Sequence, residues 1–368
     1  MRRTLVAAAA CLALLAPGPA GADVAAAGSE PRVDGWPTTT PAAAGFRPQR
    51  LASIAADARR LDSTCLAVVR HGRLVADWNW GTPRTVGRQT FSVTKSITSA
   101  LVGIAVRDGD LRLGDRVARH VPSWRGTDSS RVTVRDLLSN TSGRFWSFES
   151  DYVALTAARD RTAYAVGLGQ QHPRGTVWAY NNAAIQVLDR VLRRATGRPT
   201  DKLAADRLFG PLGMTHTTMT RDLGGRSTNV YFGVQSTCLD LARFARLYLQ
   251  RGVVDGRRLL SRGWVRQSVG RSSSDLNAAY GLLWWVNRRG VLRSATDPVD
   301  ADGRPIETRV GRLVPGARGS LFAALGLGGQ VAMVDPASRT VVVRMGPAVT
   351  GGEYGVRDAA RVVTEALR

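Results

Sequence analysis

The sequence predicts an α+β fold in which a mixed lobe, an antiparallel sheet flanked by N- and C-terminal helices, is interrupted by an inserted all-helical lobe. Two observations predict it. Runs with strand character lie near both ends of the 368-residue chain, and residues from about 110 to 265 are dominated by helical periodicity. No internal repeat divides the chain, so one lobe built from both termini accounts for the pattern better than an array.

Taken in order, Arg2 and Arg3 form a basic start, Leu5 to Ala16 is a short apolar run, and Ala20-Gly21-Ala22 offers small residues where a signal peptidase cuts. Residues 1–22 therefore read as an export signal cleaved after Ala22. The apolar run is shorter than the roughly 18 to 20 residues that span a bilayer, so no stable membrane anchor is expected after cleavage. Cys11 lies inside that run instead of after it, which argues against a lipid-modified cysteine. Residues 23–45, rich in Ala, Pro, Gly and Thr, read as an extended leader. Leu51, Ile54, Ala55, Ala58 and Leu61 have helical spacing. "CLAVVRHG" and "RLVADWNWG" then form a hairpin around Gly72.

A helix from Ser92 to Val106 is stopped by Asp108-Gly109. In the insert, "NNAAIQVLDRVLRRATG" and "LDLARFARLYLQRG" are the clearest helices, each closed by glycine. Strands return in "YGLLWWVN", "SLFAALG", "QVAMVDP" and "RTVVVRMG", and "VRDAARVVTEAL" is a final helix.

The chain carries 51 basic against 29 acidic side chains, a formal charge of +22. Such an excess raises the question of nucleic acid or an acidic polymer as partner. The arginines are scattered singly or in pairs such as Arg257-Arg258, with aspartates among them, and read as a solvated surface; no nucleic-acid partner is expected. Cys65 and Cys238 survive cleavage. They are far apart in sequence, and although an oxidising compartment would permit a bond, the sequence favours leaving them unpaired. His71, His120, His172 and His216 stand in no metal spacing and beside no Gly-x-Ser-x-Gly elbow. No phosphate loop or dinucleotide fingerprint is present, so no cofactor or metal is expected.

Chemistry concentrates in "FSVTKSI", Phe91 to Ile97. Only Lys95 and Lys202 are lysines; every other basic side chain is arginine. An ammonium can shed its proton when desolvated and a guanidinium effectively cannot, so a lysine retained here points to proton transfer. Ser92 and Lys95, at i and i+3, share one helix face about 5–6 Å apart at Cβ. Burial would lower the lysine pKa and let the amine take the serine proton. In "VWAYNNAAIQVL", Tyr180 and Asn182 sit at a loop-to-helix junction: a tyrosine can carry a proton, and an asparagine can bond both a lysine and a substrate amide. Trp146 and Trp178 are candidates for the wall of an apolar pocket, more so than Trp284 and Trp285.

Ser92-x-x-Lys95, then Tyr180-x-Asn182, then a glycine-bearing C-terminal strand resembles the penicillin-recognising serine hydrolases, which include class C β-lactamases, D-Ala-D-Ala carboxypeptidases, esterases and 6-aminohexanoate-dimer hydrolases. "DLLSNTSG" at 136–143, "FGPLGMTHT" at 209–217 and "STCLDLARFARLYL" at 236–249 extend the resemblance over a β-lactamase-like domain at 46–368. It implies Ser92 as the acylated nucleophile, Lys95 and Tyr180 as the proton-transfer pair with the base left open between them, and Asn182 as a partner of Lys95 and substrate. It further implies an oxyanion hole from the N–H groups of Ser92 and of Leu327, just after Gly326.

One motif departs from the family. Where a cation and a hydroxyl commonly precede the glycine, this chain has Ala324-Leu325-Gly326, which argues against substrates held by a carboxylate. The expected function is an exported serine hydrolase acting on a small ester, amide or peptide-like substrate. The alternatives are a β-lactamase or D-Ala-D-Ala carboxypeptidase, and an inactive homologue that binds the cell envelope.

Overall fold

The structure, a computed structural model, describes residues 31–295, 307–348 and 354–368; the expected export signal and the first part of the expected leader lie outside them. Its centre is a six-stranded sheet of β1 (Cys65–Arg70), β2 (Arg73–Asn79), β3 (Trp285–Val286), β4 (Phe322–Gly326), β5 (Gln330–Asp335) and β6 (Thr340–Met345). The strands run antiparallel in the order β3-β4-β5-β6-β1-β2. C-terminal β6 pairs with N-terminal β1, Met345 opposite Cys65, so both ends of the chain build one lobe.

Every residue of β5 and β6 is buried, which is why they read as near-continuous apolar runs. Alternate side chains still go to opposite faces. Leu66, Val68, Met333 and Val342 pack with Leu51, Ile54 and Ala58 of α1 (Pro48–Arg60) and with Ala359 and Ala360 of α5 (Val356–Arg361). Ala67, Val69, Ala332, Val341 and Val343 face the core shared with α2 (Val93–Asp108) and α4 (Cys238–Leu249). The insert contributes α3 (Asn182–Thr196), closed by Gly197 at φ +69°, a left-handed conformation that glycine adopts without steric penalty.

Three expectations are corrected. Residues from 32 on are not a featureless leader: Arg32–Val33 pairs with Trp36–Pro37, and Trp36 is buried beneath the guanidinium groups of Arg243 and Arg246. The insert is not purely helical, since Arg88–Gln89, Thr218–Met219 and Val234–Ser236 form a three-stranded sheet beside the residues that lead into α2. In "YGLLWWVN" only Trp285 and Val286 pair with β4, because Leu283, at φ +58°, turns the chain.

Cys65 and Cys238 form a disulfide, contrary to the unpaired state expected from their separation of 173 residues. The fold brings them together because β1 and α4 pack directly against each other across the sheet face. The bond ties the first strand to the helix lying over it. Closing so long a loop restricts the unfolded chain strongly. Cys65→Ser or reduction should therefore lower unfolding free energy by about 2–5 kcal/mol, read as a denaturant midpoint shift with and without reductant; an unchanged midpoint would show that the bond adds no stability.

Candidate active site

Ser92 stands at the entry to α2, directly after Phe91, whose φ of +48° is sterically unfavourable for a side chain of that size. Neighbouring bonds hold this turn. Thr90 donates to the Val234 carbonyl through both its N–H and its hydroxyl (2.9 Å each), and Val234 N–H donates to Thr94 Oγ1 (3.0 Å). Further along α2, Ser96 Oγ donates to the Leu283 carbonyl and Thr98 Oγ1 to the Val230 carbonyl, both at 2.7 Å. The serine- and threonine-rich helix start is thus buried with its hydroxyls satisfied.

Lys95 is 1% exposed. Its Nζ donates to Ser92 Oγ (2.7 Å) and to the Tyr231 carbonyl (2.9 Å), between the rings of Tyr180 (4.7 Å to the centroid) and Tyr231 (5.5 Å). Burial pushes its pKa down to about 7, against the opposing charge of Asp151. The shift brings loss of the ammonium proton into the neutral range, where the amine stands within hydrogen-bond reach of Ser92 Oγ. Tyr180 is buried, and burial raises its pKa far above the usual phenol range although the Ser92 hydroxyl draws it partly back. That direction favours the neutral phenol over the phenolate at Tyr180, beside an amine whose pKa burial brings down. Tyr180 packs on Trp285 (5.9 Å), with Trp178 and Tyr280 completing an aromatic wall.

The junction carrying Tyr180 is clamped by two side chains. Asn181 caps α3, its Oδ1 accepting from Ala184 N–H (2.7 Å) while its Nδ2 donates to the carbonyls of Arg144 and Phe145. Asp151, 1% exposed, accepts from the N–H groups of Asn182 and Ala183, both at 2.8 Å. Burial pushes Asp151 up to about 6, with those two bonds and Lys95 pulling it back. Asn182 is the first residue of α3 and is buried; the bond to Lys95 that the resemblance implies is taken by the Tyr231 carbonyl, and Asn182 Oδ1 has no donor among the described residues.

Gly326 closes β4 against the nucleophile. A Cβ there would collide with the Thr90 carbonyl and lie 3.2 Å from Ser92 N, so only glycine permits this approach. Leu327 follows, its side chain 64% exposed. Ala324 is buried in the core and supplies no cation. Trp178 shares the wall with Tyr180, whereas Trp146 is separate: it lines a small cavity with Asn140, Ser142 and Asn181 and donates its backbone N–H to Gln171. Two participants escaped sequence reasoning. Tyr231 acts through a main-chain carbonyl, which any residue could supply, and Asp151 lies in the helical turn Glu149–Ala154, with no motif around it.

A serine hydroxyl bonded to a buried amine, with a buried phenol alongside, sits between an antiparallel sheet and a helical insert. The chain belongs to the Beta-lactamase family, which it matches over residues 49–366. It is similar to penicillin-binding protein 4 of Amycolatopsis lactamdurans, at 34% identity over 47% of this chain and 54% of that protein. A D-aminopeptidase of Cereibacter sphaeroides is 29% identical over 42% of this chain and 32% of its own. The chain thus spans about half of the first of these two relatives and a third of the second. Its fold is that of a Bacillus anthracis structure assigned as a 6-aminohexanoate-dimer hydrolase, with TM-score 0.68 and 18% identity over 88% of this chain and 84% of that one.

A pH–rate profile should rise through about pH 7 as Lys95 loses its proton. Asp151→Asn removes the charge that holds the lysine pKa up, so the rise should move to lower pH, with a lower plateau because an amide cannot accept from both α3 N–H groups. A profile unmoved by the substitution would show that Lys95 does not feel Asp151.

Proposed function

We propose that the protein is an exported serine hydrolase that forms an acyl-enzyme on Ser92 and hydrolyses an ester or amide bond of a small, uncharged substrate. The observation that carries this reading is the 2.7 Å approach of a fully buried Lys95 Nζ to Ser92 Oγ. Neutral Lys95 takes the Ser92 proton as Oγ attacks the substrate carbonyl carbon. The carbonyl oxygen becomes an oxyanion between the N–H groups of Ser92 and Leu327, each such donor being worth about 3–4 kcal/mol at the transition state. As the intermediate collapses, the Lys95 proton passes by way of Tyr180 to the leaving alcohol or amine. Water then attacks the Ser92 ester with the same base, regenerating the serine. Asn182 Oδ1, lacking a protein donor, is suited to accept from a substrate amide N–H.

Buried Ala324 supports a neutral substrate, because no cation stands there to receive a carboxylate. The disulfide supports export, since such bonds persist in oxidising compartments. Among the described residues no helix is long and apolar enough to cross a membrane. The penicillin-binding and D-aminopeptidase relatives support a second reading, a peptide-like amide or β-lactam, in which an arginine from elsewhere would replace the missing cation.

Assays with p-nitrophenyl esters, a chromogenic cephalosporin and a linear D-amino-acid amide separate the two; turnover of none would favour the envelope-binding alternative. Ser92→Ala should abolish labelling by an active-site-directed phosphonate, and persistent labelling would remove Ser92 as nucleophile. Lys95→Arg should lose nearly all activity, since the guanidinium keeps the charge but cannot act as base. Tyr180→Phe should lower kcat with a modest change in KM; an unchanged kcat would take Tyr180 off the proton path.

A further inference from the structure

The turn joining β4 to β5, Gly326 to Gln330, holds the Leu327 amide. Gly328 and Gly329 have φ of +72° and +70°, and a Cβ on either would strike the carbonyl of Pro347 or of Tyr354. The backbone is pressed against the protein on this side, and its carbonyls are all engaged inward. Gln330 Nε2 donates to the carbonyls of Leu327 (3.1 Å) and Gly346 (2.7 Å), while Gln330 Oε1 accepts from Gly346 N–H (3.0 Å). Arg344 Nη1 donates to the carbonyls of Gly328 (2.5 Å) and Gly329 (3.1 Å). Its other nitrogens donate to Ser63 Oγ and the Leu61 carbonyl, both at 2.7 Å, and its face lies over the Tyr354 ring.

Gln330 and Arg344 are both 0% exposed. Among the described residues no carboxylate lies within salt-bridge distance of Arg344. Asp62 and Asp358 oppose its desolvation only from beyond contact, and a buried guanidinium whose direct partners are neutral groups is a weak contributor to stability alone, since an apolar residue could fill the space more favourably. This one sits where three consecutive carbonyls need fixing, one residue beyond the glycine that abuts Ser92 N.

On the reading of Leu327 as an oxyanion donor, we propose that Arg344 and Gln330 are positioning residues that hold the 327–329 turn, so that the Leu327 N–H is aligned with the Ser92 N–H on one developing oxyanion. Neither touches substrate. Each acts on the transition state through the backbone it clamps.

The test compares Arg344→Met, Arg344→Lys and Gln330→Met with the unaltered protein. Readouts are kcat/KM on the best substrate found, the affinity of a phenylboronic acid, which forms a tetrahedral anion on serine, the affinity of the uncharged hydrolysis product, and the pH–rate profile. Arg344→Met should weaken boronate binding and kcat/KM together by about 10- to 100-fold, short of losing a donor outright. Product affinity and the rise near pH 7 should stay unchanged, since Lys95 is untouched. Arg344→Lys should recover part of the loss by bonding the turn with its ammonium. Circular dichroism establishes that each variant is folded; if Arg344→Met does not fold, Gln330→Met decides by the same measurements. Folded variants with unaltered boronate affinity would overturn the proposal. Absence of boronate binding by the unaltered protein would instead overturn the hydrolase reading, and the clamp's role with it.

Discussion

The structure turns on one desolvated amine. Lys95 is buried against two aromatic rings, a main-chain carbonyl and the Ser92 hydroxyl, and only the charge of Asp151 opposes the loss of its proton. Several features follow from placing it there. Because the helix start is buried, the hydroxyls of Thr90, Ser96 and Thr98 donate to carbonyls and that of Thr94 accepts from the Val234 N–H. Phe91 takes an unfavourable left-handed conformation at the turn that sets Ser92 at the entry to α2, within reach of Lys95. Asp151 is near enough to be felt by Lys95, yet its oxygens are committed to α3.

Comparison with the other buried cations sharpens the case for lysine. Arg144, Arg161 and Arg344 are also buried, and they bond to backbone carbonyls and neutral side chains. Arg144 is drawn down only to about 10, so it keeps its charge at neutral pH and serves as a brace. The chain uses guanidinium wherever a permanent cation must satisfy several acceptors. At position 95 it uses the one basic group that can lose its proton.

Much of this was legible in the sequence where local rules govern. The β1–β2 hairpin, α2 with its glycine stop, α3 and the C-terminal strands follow from periodicity and turn residues. The serine–lysine pair follows from i, i+3 spacing. What failed was information held between distant segments. The disulfide depends on how α4 lies on β1, and "YGLLWWVN" is shortened by one left-handed residue that no pattern marks. Lys95 bonds a carbonyl, so Tyr231 left no signature, and Asn182 was given that bond because side chains are all a sequence displays. Of the turn from Gly326 to Gln330 the motif marks only Gly326 and Leu327. Its tight packing against residues 347 and 354, and its buried glutamine, emerge only in three dimensions.

The disulfide also divides the site topologically. The covalent ring from Cys65 to Cys238 encloses Ser92, Lys95, Asp151, Tyr180 and Tyr231, while Gly326, Leu327, Gln330 and Arg344 lie on the open tail beyond it. A protease that cuts one loop within the ring leaves its fragments joined and the nucleophile tethered to the sheet. A single cut in the tail between Cys238 and Phe322 severs the covalent link to the oxyanion turn, leaving only non-covalent strand pairing to retain it. The two halves of the chemistry thus differ in their exposure to proteolytic damage, and the more vulnerable half is the one made of backbone amides.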